Sequence, residues 1–192
     1  MDQVAQWRSA FVKELQRPEN ATQLKSAALE SRLGVWTKLL TDLVVESFRS
    51  MGWQASAKGN KLQLLPVSRS EYLSLDIVAF SSGTTRWRFP VAIAELENSA
   101  DDDKVAYSLW KVLCVRDVIR IVFCYRVDAD KGFKLVHHLR DEVLHAMSLE
   151  SRIQIDGQTL VVVGQKGEAD TFPYSYFKWW LLDPNTSKFE QI

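Results

Sequence analysis

Residues 91–98 have the sequence VAIAELEN, and this short stretch decides how the chain is interpreted. The stretch is predicted to form a β-strand, in which successive side chains point to opposite faces. One face contains Val91, Ile93, Glu95 and Glu97. It therefore begins apolar and ends in two carboxylates, whose Cα atoms would lie about 6.6 Å apart at a rise of ~3.3 Å per residue.

Two like charges on one strand face repel each other, and burying them is costly unless something offsets their charge. A divalent cation would do so directly. Exposure of the end of the strand to solvent is the alternative, and the residues leave both open.

Asp76 is a second carboxylate in an apolar setting, because it lies between Leu75 and Ile77 in a strand predicted over residues 71–80. If this strand and residues 91–98 form an antiparallel pair, Asp76 can lie opposite Glu95. Opposite residues share a face, with Cβ atoms about 5 Å apart, so the acids of the two strands would converge.

The length of the connection decides between two registers. Setting Asp76 opposite Glu95 also sets Phe80 opposite Val91, and leaves residues 81–90 as the connection. A tight turn near Gly83 would instead set Asp76 opposite Phe89 and separate it from Glu95.

The remaining patterns predict an α/β (α+β) fold with a mixed central sheet flanked by helices. The favoured partition is a single domain over residues 1–192. Its parts are an N-terminal helical extension over 1–34, a core over 35–126, and a C-terminal helix and strands over 127–192 that complete the sheet. The predicted helices cover residues 2–16, 22–33, 35–51, 99–116 and 131–149, and the predicted strands cover 61–67, 71–80, 91–98, 118–126, 159–164 and 172–182.

Glu46 is an accessory candidate on the helix predicted over residues 35–51. At 100° per residue it falls between Val35 and Leu39, within the apolar arc of that helix, so we expect it to point toward the sheet. A glutamate at the edge of the arc that reaches water is the alternative.

Carboxylates are hard oxygen ligands that suit Mg²⁺ or Mn²⁺. A metal ion held by two or three of them can bind a phosphate, activate water and neutralise developing charge. The acids therefore point to phosphodiester hydrolysis.

The order of these features over residues 35–126 resembles the PD-(D/E)XK nuclease superfamily, which has the restriction-endonuclease-like fold. The order is a helix with an inward Glu, a short strand, a strand with Asp76, a strand ending Glu95-Leu96-Glu97, a helix, and the buried strand VIRIVFCYR. The resemblance implies that Asp76 and Glu95 bind Mg²⁺ or Mn²⁺ with the Leu96 carbonyl, and that the substrate is nucleic acid, with DNA expected.

The chain departs from the family at Glu97, which occupies the position of the usual lysine. That lysine orients water and stabilises charge; some members that are similar in having glutamate there remain active, with the glutamate as base, and others are inactive. Lys104 and Lys111 share a face of the following helix, and we expect Lys104, nearer its start, to replace the missing lysine. The alternative is an inactive binding or interaction module.

Net charge and hydropathy limit the kinds of partner that the sequence predicts. Lys plus Arg and Asp plus Glu are each 24, so the net charge is zero and bulk charge does not attract nucleic acid. Arg86 and Arg88, in the predicted loop, are the candidate phosphate contacts, and a solvated hairpin is the alternative. No run approaches ~18 apolar residues, so no membrane partner is expected. The N-terminus lacks an apolar signal stretch, which favours the cytoplasm. A homodimer would suit duplex cleavage.

Three further patterns have a structural and a functional interpretation. Cys114 and Cys124 are expected to be buried free thiols. His138, Asp141 and His145 could bind a metal, but their spacing is not HExxH, and a polar helix face is the favoured interpretation. The aromatic residues over 172–182 could stack on bases or pack in the core.

Overall fold

The computed structural model describes residues 2–67, 71–116 and 118–192. The chain divides into two compact units, residues 1–94 and 95–192, and each combines helices with strands. The predicted mixed α/β class, of the α+β type, is therefore confirmed. Among the residues that the structure describes, no helix is both long and apolar enough to cross a membrane.

The first unit contains three helices and three strands among its described residues. They are α1 (Gln3–Leu15), α2 (Pro18–Leu29), α3 (Leu33–Ser50), β1 (Trp53–Ala57), β2 (Ile77–Ser81) and β3 (Pro90–Leu96), the last of which runs two residues past the boundary.

Helix α1 forms at the predicted place and packs on α3. Asp2 caps its N-terminus, where its carboxylate accepts hydrogen bonds from the backbone N–H groups of Val4 and Ala5. Trp7 is fully buried, and its Nε1 donates to Ser47 Oγ at 2.9 Å. The buried indole thus has the hydrogen-bond partner that its polar edge requires.

Helix α2 begins at Pro18, earlier than predicted, because a proline at the first position of a helix lacks only an N–H that would have no partner there. The predicted stop at Gly34 is also wrong. Gly34 lies in the first turn of α3, and α2 has already ended before Ser31, whose φ is 53°.

Strand β1 was not predicted. Residues 61–67, which were predicted to form a strand, form none in the structure. Instead, the backbone N–H groups of Leu64 and Leu65 donate to the Tyr72 hydroxyl, at 3.0 and 3.3 Å. Pro66 has no N–H to contribute to a ladder, which favours this irregular course.

The predicted register of β2 and β3 is confirmed where residues 77–79 pair with residues 92–94. The two strands are antiparallel and pair Ile77 with Ala94. The predicted pairing of Phe80 with Val91 is wrong, because a β-bulge moves Phe80 opposite Pro90. The tight-turn alternative is excluded by the same pairing.

The second unit contains α4 (Asp102–Leu113), β4 (Ile119–Arg126), α5 (Ala129–Leu139), α6 (Leu149–Ile153), β5 (Gln158–Gln165), β6 (Phe177–Asp183) and β7 (Lys188–Gln191). Strand β4 is buried along its whole length, as its continuous apolar sequence predicted, and pairs in parallel with β5. Strands β5, β6 and β7 pair antiparallel.

Several predicted boundaries in this unit shift. Helix α4 is capped by Asp101 rather than Ser99. The helix predicted over residues 131–149 is interrupted, because α5 is followed by a π-helical turn, Arg140–Leu144, and only then by α6. The last predicted strand begins at Phe177 instead of residue 172.

Arg120, on β4, forms hydrogen bonds with the C-terminal end of α4 and with the segment before β5. Its side chain is 1% exposed, although it lies on the most apolar strand. The guanidinium donates to the Val112 carbonyl at 3.1 Å, the Val115 carbonyl at 2.8 Å and the Asp156 carbonyl at 2.6 Å. It therefore satisfies carbonyl groups at a helix C-terminus, where a cation is also favoured by the helix dipole.

Candidate functional site

The centre of the candidate site is a buried ion pair between Glu95 and Lys111. Glu95 lies near the end of β3, and its side chain is 6% exposed. Lys111 lies in the last turn of α4, with its Nζ 2.7 Å from Glu95 Oε2 and its side chain 24% exposed. The ammonium offsets the cost of burying the carboxylate, so the two side chains depend on each other.

Lys111, and not the expected Lys104, is the lysine that reaches Glu95. The two lysines are seven residues apart, which is about 10.5 Å along a helix axis. Lys104 lies exposed in the first turn of α4. The preference for Lys104 over Lys111 is therefore wrong for the group that contacts Glu95.

Glu97 lies beyond the end of β3, so it does not extend the strand face of Glu95 as expected. It is half-buried, and its Oε1 accepts a hydrogen bond from the Ser99 backbone N–H at 2.7 Å. Its own backbone N–H donates to the Phe123 carbonyl of β4 at 2.9 Å. Glu97 therefore orders the turn that leads from β3 toward α4.

Asp76 is half-buried and directly precedes β2. The next residue, Ile77, pairs with Ala94, the residue that directly precedes Glu95 in the chain. The pairing of Asp76 itself with Glu95 stays a prediction. The role of Asp76 as a metal ligand also stays a prediction.

Glu46 does not point inward, and the expected accessory position is wrong. Its side chain is exposed and forms an ion pair with Arg49 on the same helix. The arc used to place it, between Val35 and Leu39, is not the face that α3 buries, because Val35 is 41% exposed. The buried face instead includes Leu40, Leu43, Val44 and Ser47.

Arg88 forms hydrogen bonds within the first unit, whereas Arg86 is exposed. The Arg88 guanidinium donates to Gln54 Oε1 at 2.7 Å and to the Leu64 carbonyl at 3.1 Å, and it lies 5.8 Å from the centre of the Phe80 ring. It thereby attaches the irregular segment near Leu64 to the strands. Phosphate contact by either arginine stays a prediction.

Sequence reasoning missed a second buried cation, Arg126, at the end of β4. Its side chain is 8% exposed and pairs with Asp102 in the first turn of α4. The signal was present, because Arg120 and Arg126 are the charged residues of an otherwise apolar strand, and buried charges require partners.

His138, Asp141 and His145 form part of a polar surface. Asp141 lies 3.4 Å from His145 and accepts a hydrogen bond from Arg140 at 2.8 Å, which lowers the pKa of its carboxyl. His138 Nε2 instead lies 3.3 Å from Asp103 Oδ1 on α4. Across the described ranges, no three His, Cys, Asp or Glu residues form a group that could hold a metal ion.

Most aromatic side chains over residues 172–182 form core, which was one of the two interpretations. Phe172, Tyr176, Phe177 and Trp179 are buried against one another, and burial raises the pKa of the Tyr176 hydroxyl.

The two cysteines differ in their surroundings. Cys124 is buried as expected, and burial raises its pKa to about 12. Cys114, at the end of α4, is exposed, so the expectation for it is wrong.

At the candidate site, Glu95 offers one carboxylate, and that carboxylate is already paired with the Lys111 ammonium. Mg²⁺ is commonly held by one or two carboxylates together with substrate phosphates. The resemblance assigns this role to the Glu95 carboxylate and the Leu96 carbonyl, and the assignment stays a prediction. A cage of three or more acidic side chains is not what the described residues provide.

No family model matches the chain, and no curated protein is significantly similar to it.

Proposed function

We propose that this protein is a Mg²⁺-dependent nuclease that hydrolyses phosphodiester bonds in nucleic acid. The observation that supports the proposal is the contact between Lys111 and Glu95. The resemblance lacked one element, a lysine beside the metal-binding acid, since Glu97 occupies its place in the sequence. Lys111 supplies an ammonium group from the following helix at hydrogen-bond distance from that acid.

In this proposal Glu95 and the Leu96 carbonyl hold the ion, and the resemblance adds Asp76 as a further carboxylate. A bound Mg²⁺ would supply positive charge to the phosphate and make a coordinated water more acidic. Lys111 would then donate a hydrogen bond to the attacking water or to a phosphoryl oxygen, because its ammonium group lies beside the metal-binding acid and carries N–H donors only. Glu97 would accept a proton from water.

The test is cleavage of end-labelled single-stranded and duplex DNA and of RNA, with Mg²⁺, with Mn²⁺ and with a chelator. We expect metal-dependent cleavage by the wild type. Removing a group that stabilises the transition state commonly costs ~10²–10³ in rate, and we expect at least that for Glu95→Gln and Lys111→Met. Asp76→Asn should lose activity to a similar degree.

Lys104→Met is the matched comparison, since it makes the same substitution on the same helix away from Glu95. Circular dichroism at the assay temperature confirms that each variant is folded. Cleavage that is equal in the wild type, Glu95→Gln and Lys111→Met would overturn the proposal.

A second candidate is a binding module without catalytic activity. The observation that favours it is that Lys111 already neutralises Glu95, and that the described residues offer no three-acid group. This candidate predicts nucleic-acid binding that is unchanged by a chelator, with no cleavage under any metal condition. A mobility-shift assay run beside the cleavage assay distinguishes the two.

A further inference from the structure

A cavity of about 350 Å³ lies in the second unit, at the carboxyl ends of β4 and β5. Arg126 is the last residue of β4, and Lys166 directly follows β5. Asp102 of α4 and Lys131 and Lys134 of α5 form other parts of the wall. Ligands of open α/β sheets bind at the carboxyl ends of parallel strands, so the location is one that such folds use.

The wall of this cavity is strongly cationic in a chain whose net charge is zero. Its lining contains four cations, Arg126, Lys131, Lys134 and Lys166, against a single carboxylate, Asp102. Lys134 pairs with Asp130, 2.7 Å away, and Arg126 pairs with Asp102. Lys131 and Lys166 form no ion pair with any residue that the structure describes. An anion in the cavity would therefore meet uncompensated charge.

Arg126 is held in place before any ligand arrives. Its Nη1 donates to the Tyr125 carbonyl at 2.6 Å and to the Ser99 carbonyl at 3.4 Å, while Nη2 contacts Asp102. These contacts fix a guanidinium that is 8% exposed. A fixed donor loses little conformational entropy when an anion binds to it.

The residue after Lys166 is fixed as well. The Gly167 backbone N–H donates to the Val127 carbonyl at 2.8 Å. A Cβ at residue 167 would approach that carbonyl oxygen to 2.8 Å, so a larger residue would force the segment away. Glycine thus lets Lys166 lie beside the end of β4.

We propose that this cavity binds a phosphate group. Several cations around one pocket suit an anion with three or four oxygens and one or two charges, which can accept charge-assisted hydrogen bonds from several sides. A metal ion would be repelled by the same cations. The phosphate could be free or could belong to an oligonucleotide; only the second source rests on the proposed nuclease function, where it would be a phosphate other than the one cleaved.

The first measurement is the affinity of the full chain for inorganic phosphate, by calorimetry at constant ionic strength and without divalent metal. The test variant is Lys131→Gln/Lys166→Gln, which removes two exposed cavity cations and leaves the buried Arg126 in place. We expect binding by the wild type and a Kd raised about tenfold or more in the variant. The matched control is Lys58→Gln/Lys188→Gln, which removes the same charge at exposed positions outside the cavity lining.

The second measurement separates the sources of the phosphate. Two oligonucleotides of one sequence, with and without a 5′-phosphate, are titrated in chelator so that metal-dependent cleavage is absent. Tighter binding of the phosphorylated strand, lost in the Lys131→Gln/Lys166→Gln variant, identifies a terminal phosphate. Equal binding of both strands, weakened in that variant but not in the control, identifies backbone phosphates.

The proposal is overturned if the cavity variant and the control bind inorganic phosphate and both oligonucleotides with equal affinity. Because no metal is present, this result says nothing about cleavage. Conversely, an inactive protein that still binds phosphate through Lys131 and Lys166 would contradict the nuclease proposal alone.

Discussion

Lys111 and Glu95 are sixteen residues apart in the chain, and their charged atoms lie 2.7 Å apart. The contact joins the last turn of α4 to the end of β3. A carboxylate that is 6% exposed has lost most of its contact with water, and the ammonium of Lys111 compensates part of the cost of burying its charge.

Replacing Lys111 by Met should destabilise the protein, because it leaves Glu95 charged and without its ammonium partner. Breaking a buried pair costs ~3–5 kcal/mol, and since Lys111 is 24% exposed we expect about 2 kcal/mol in the free energy of unfolding. The double variant Glu95→Gln/Lys111→Met should recover most of that loss. Urea unfolding of the wild type, both single variants and the double variant measures the coupling, and a coupling free energy near zero would show that the pair is not important for stability.

Arg120→Met should be among the most destabilising substitutions in the second unit. It removes the guanidinium that satisfies the carbonyls of Val112, Val115 and Asp156. We expect a loss of about 3 kcal/mol, since several buried acceptors lose a charged donor at once. Arg116→Met, which alters an exposed arginine, is the control and should change the free energy of unfolding by less than about 0.5 kcal/mol. Similar midpoints for both variants would contradict the structural role of Arg120.

The two thiols should react at very different rates. Cys114 is exposed, whereas burial raises the pKa of Cys124 to about 12, so at pH 8 only Cys114 should react quickly with a thiol reagent. Unfolding in urea should expose the second thiol, and Cys114→Ser should abolish the fast reaction. Fast labelling of two thiols in the folded protein would be the contrary result.

The same burial gives a pH dependence. The Cys124 thiol ionises near pH 9.0 when unfolded and near pH 12 when folded, so more protons are bound in the folded state between these values. Its contribution to stability is full below pH 9 and is lost as the pH rises toward 12. Cys124→Ala should therefore lose less stability than the wild type between pH 8.5 and 10.5 (a range near ~pH 9, where an ordinary thiol ionises), and identical slopes would argue against the raised pKa.

Arg88 and Arg86 should behave differently although they are two residues apart. Arg88→Met removes hydrogen bonds to Gln54 and Leu64 and should lower the free energy of unfolding by about 2 kcal/mol. Arg86→Met, at an exposed position, should change it by less than about 0.5 kcal/mol. Thermal unfolding of both variants measures the difference. Equal melting temperatures would mean that Arg88 does not fix the irregular segment near Leu64.

Local patterns predicted the parts of the fold that local interactions control. The apolar run of β4 and the helical spacing of α1 were sufficient, and one of the two registers that the sequence left open pairs Ile77 with Ala94, as the structure does. Strand β1 could not be predicted, since its sequence WQASA contains small and polar residues and forms a strand through its pairing with β2.

The candidate site depended more on distant contacts. Glu46 was misplaced because two apolar faces of α3 were compatible with the periodicity, and packing with α1 and β1 selects the other one. Lys104 and Lys111 share a helix face, so only the position of α4 relative to Glu95 decides which of them makes the contact. The sequence narrowed the choice to two lysines, and the tertiary structure selected one.

The claim that Glu95 holds a catalytic Mg²⁺ is tested most directly by the single-turnover rate of nucleic-acid cleavage with Mg²⁺. The rate is measured for the wild type and for Glu95→Gln, after circular dichroism has shown that both proteins are folded. The account predicts a rate for the wild type that a chelator abolishes, and a rate at least ~10²-fold lower for Glu95→Gln. The same rate for both proteins, or no cleavage by the wild type with any divalent metal, would contradict it.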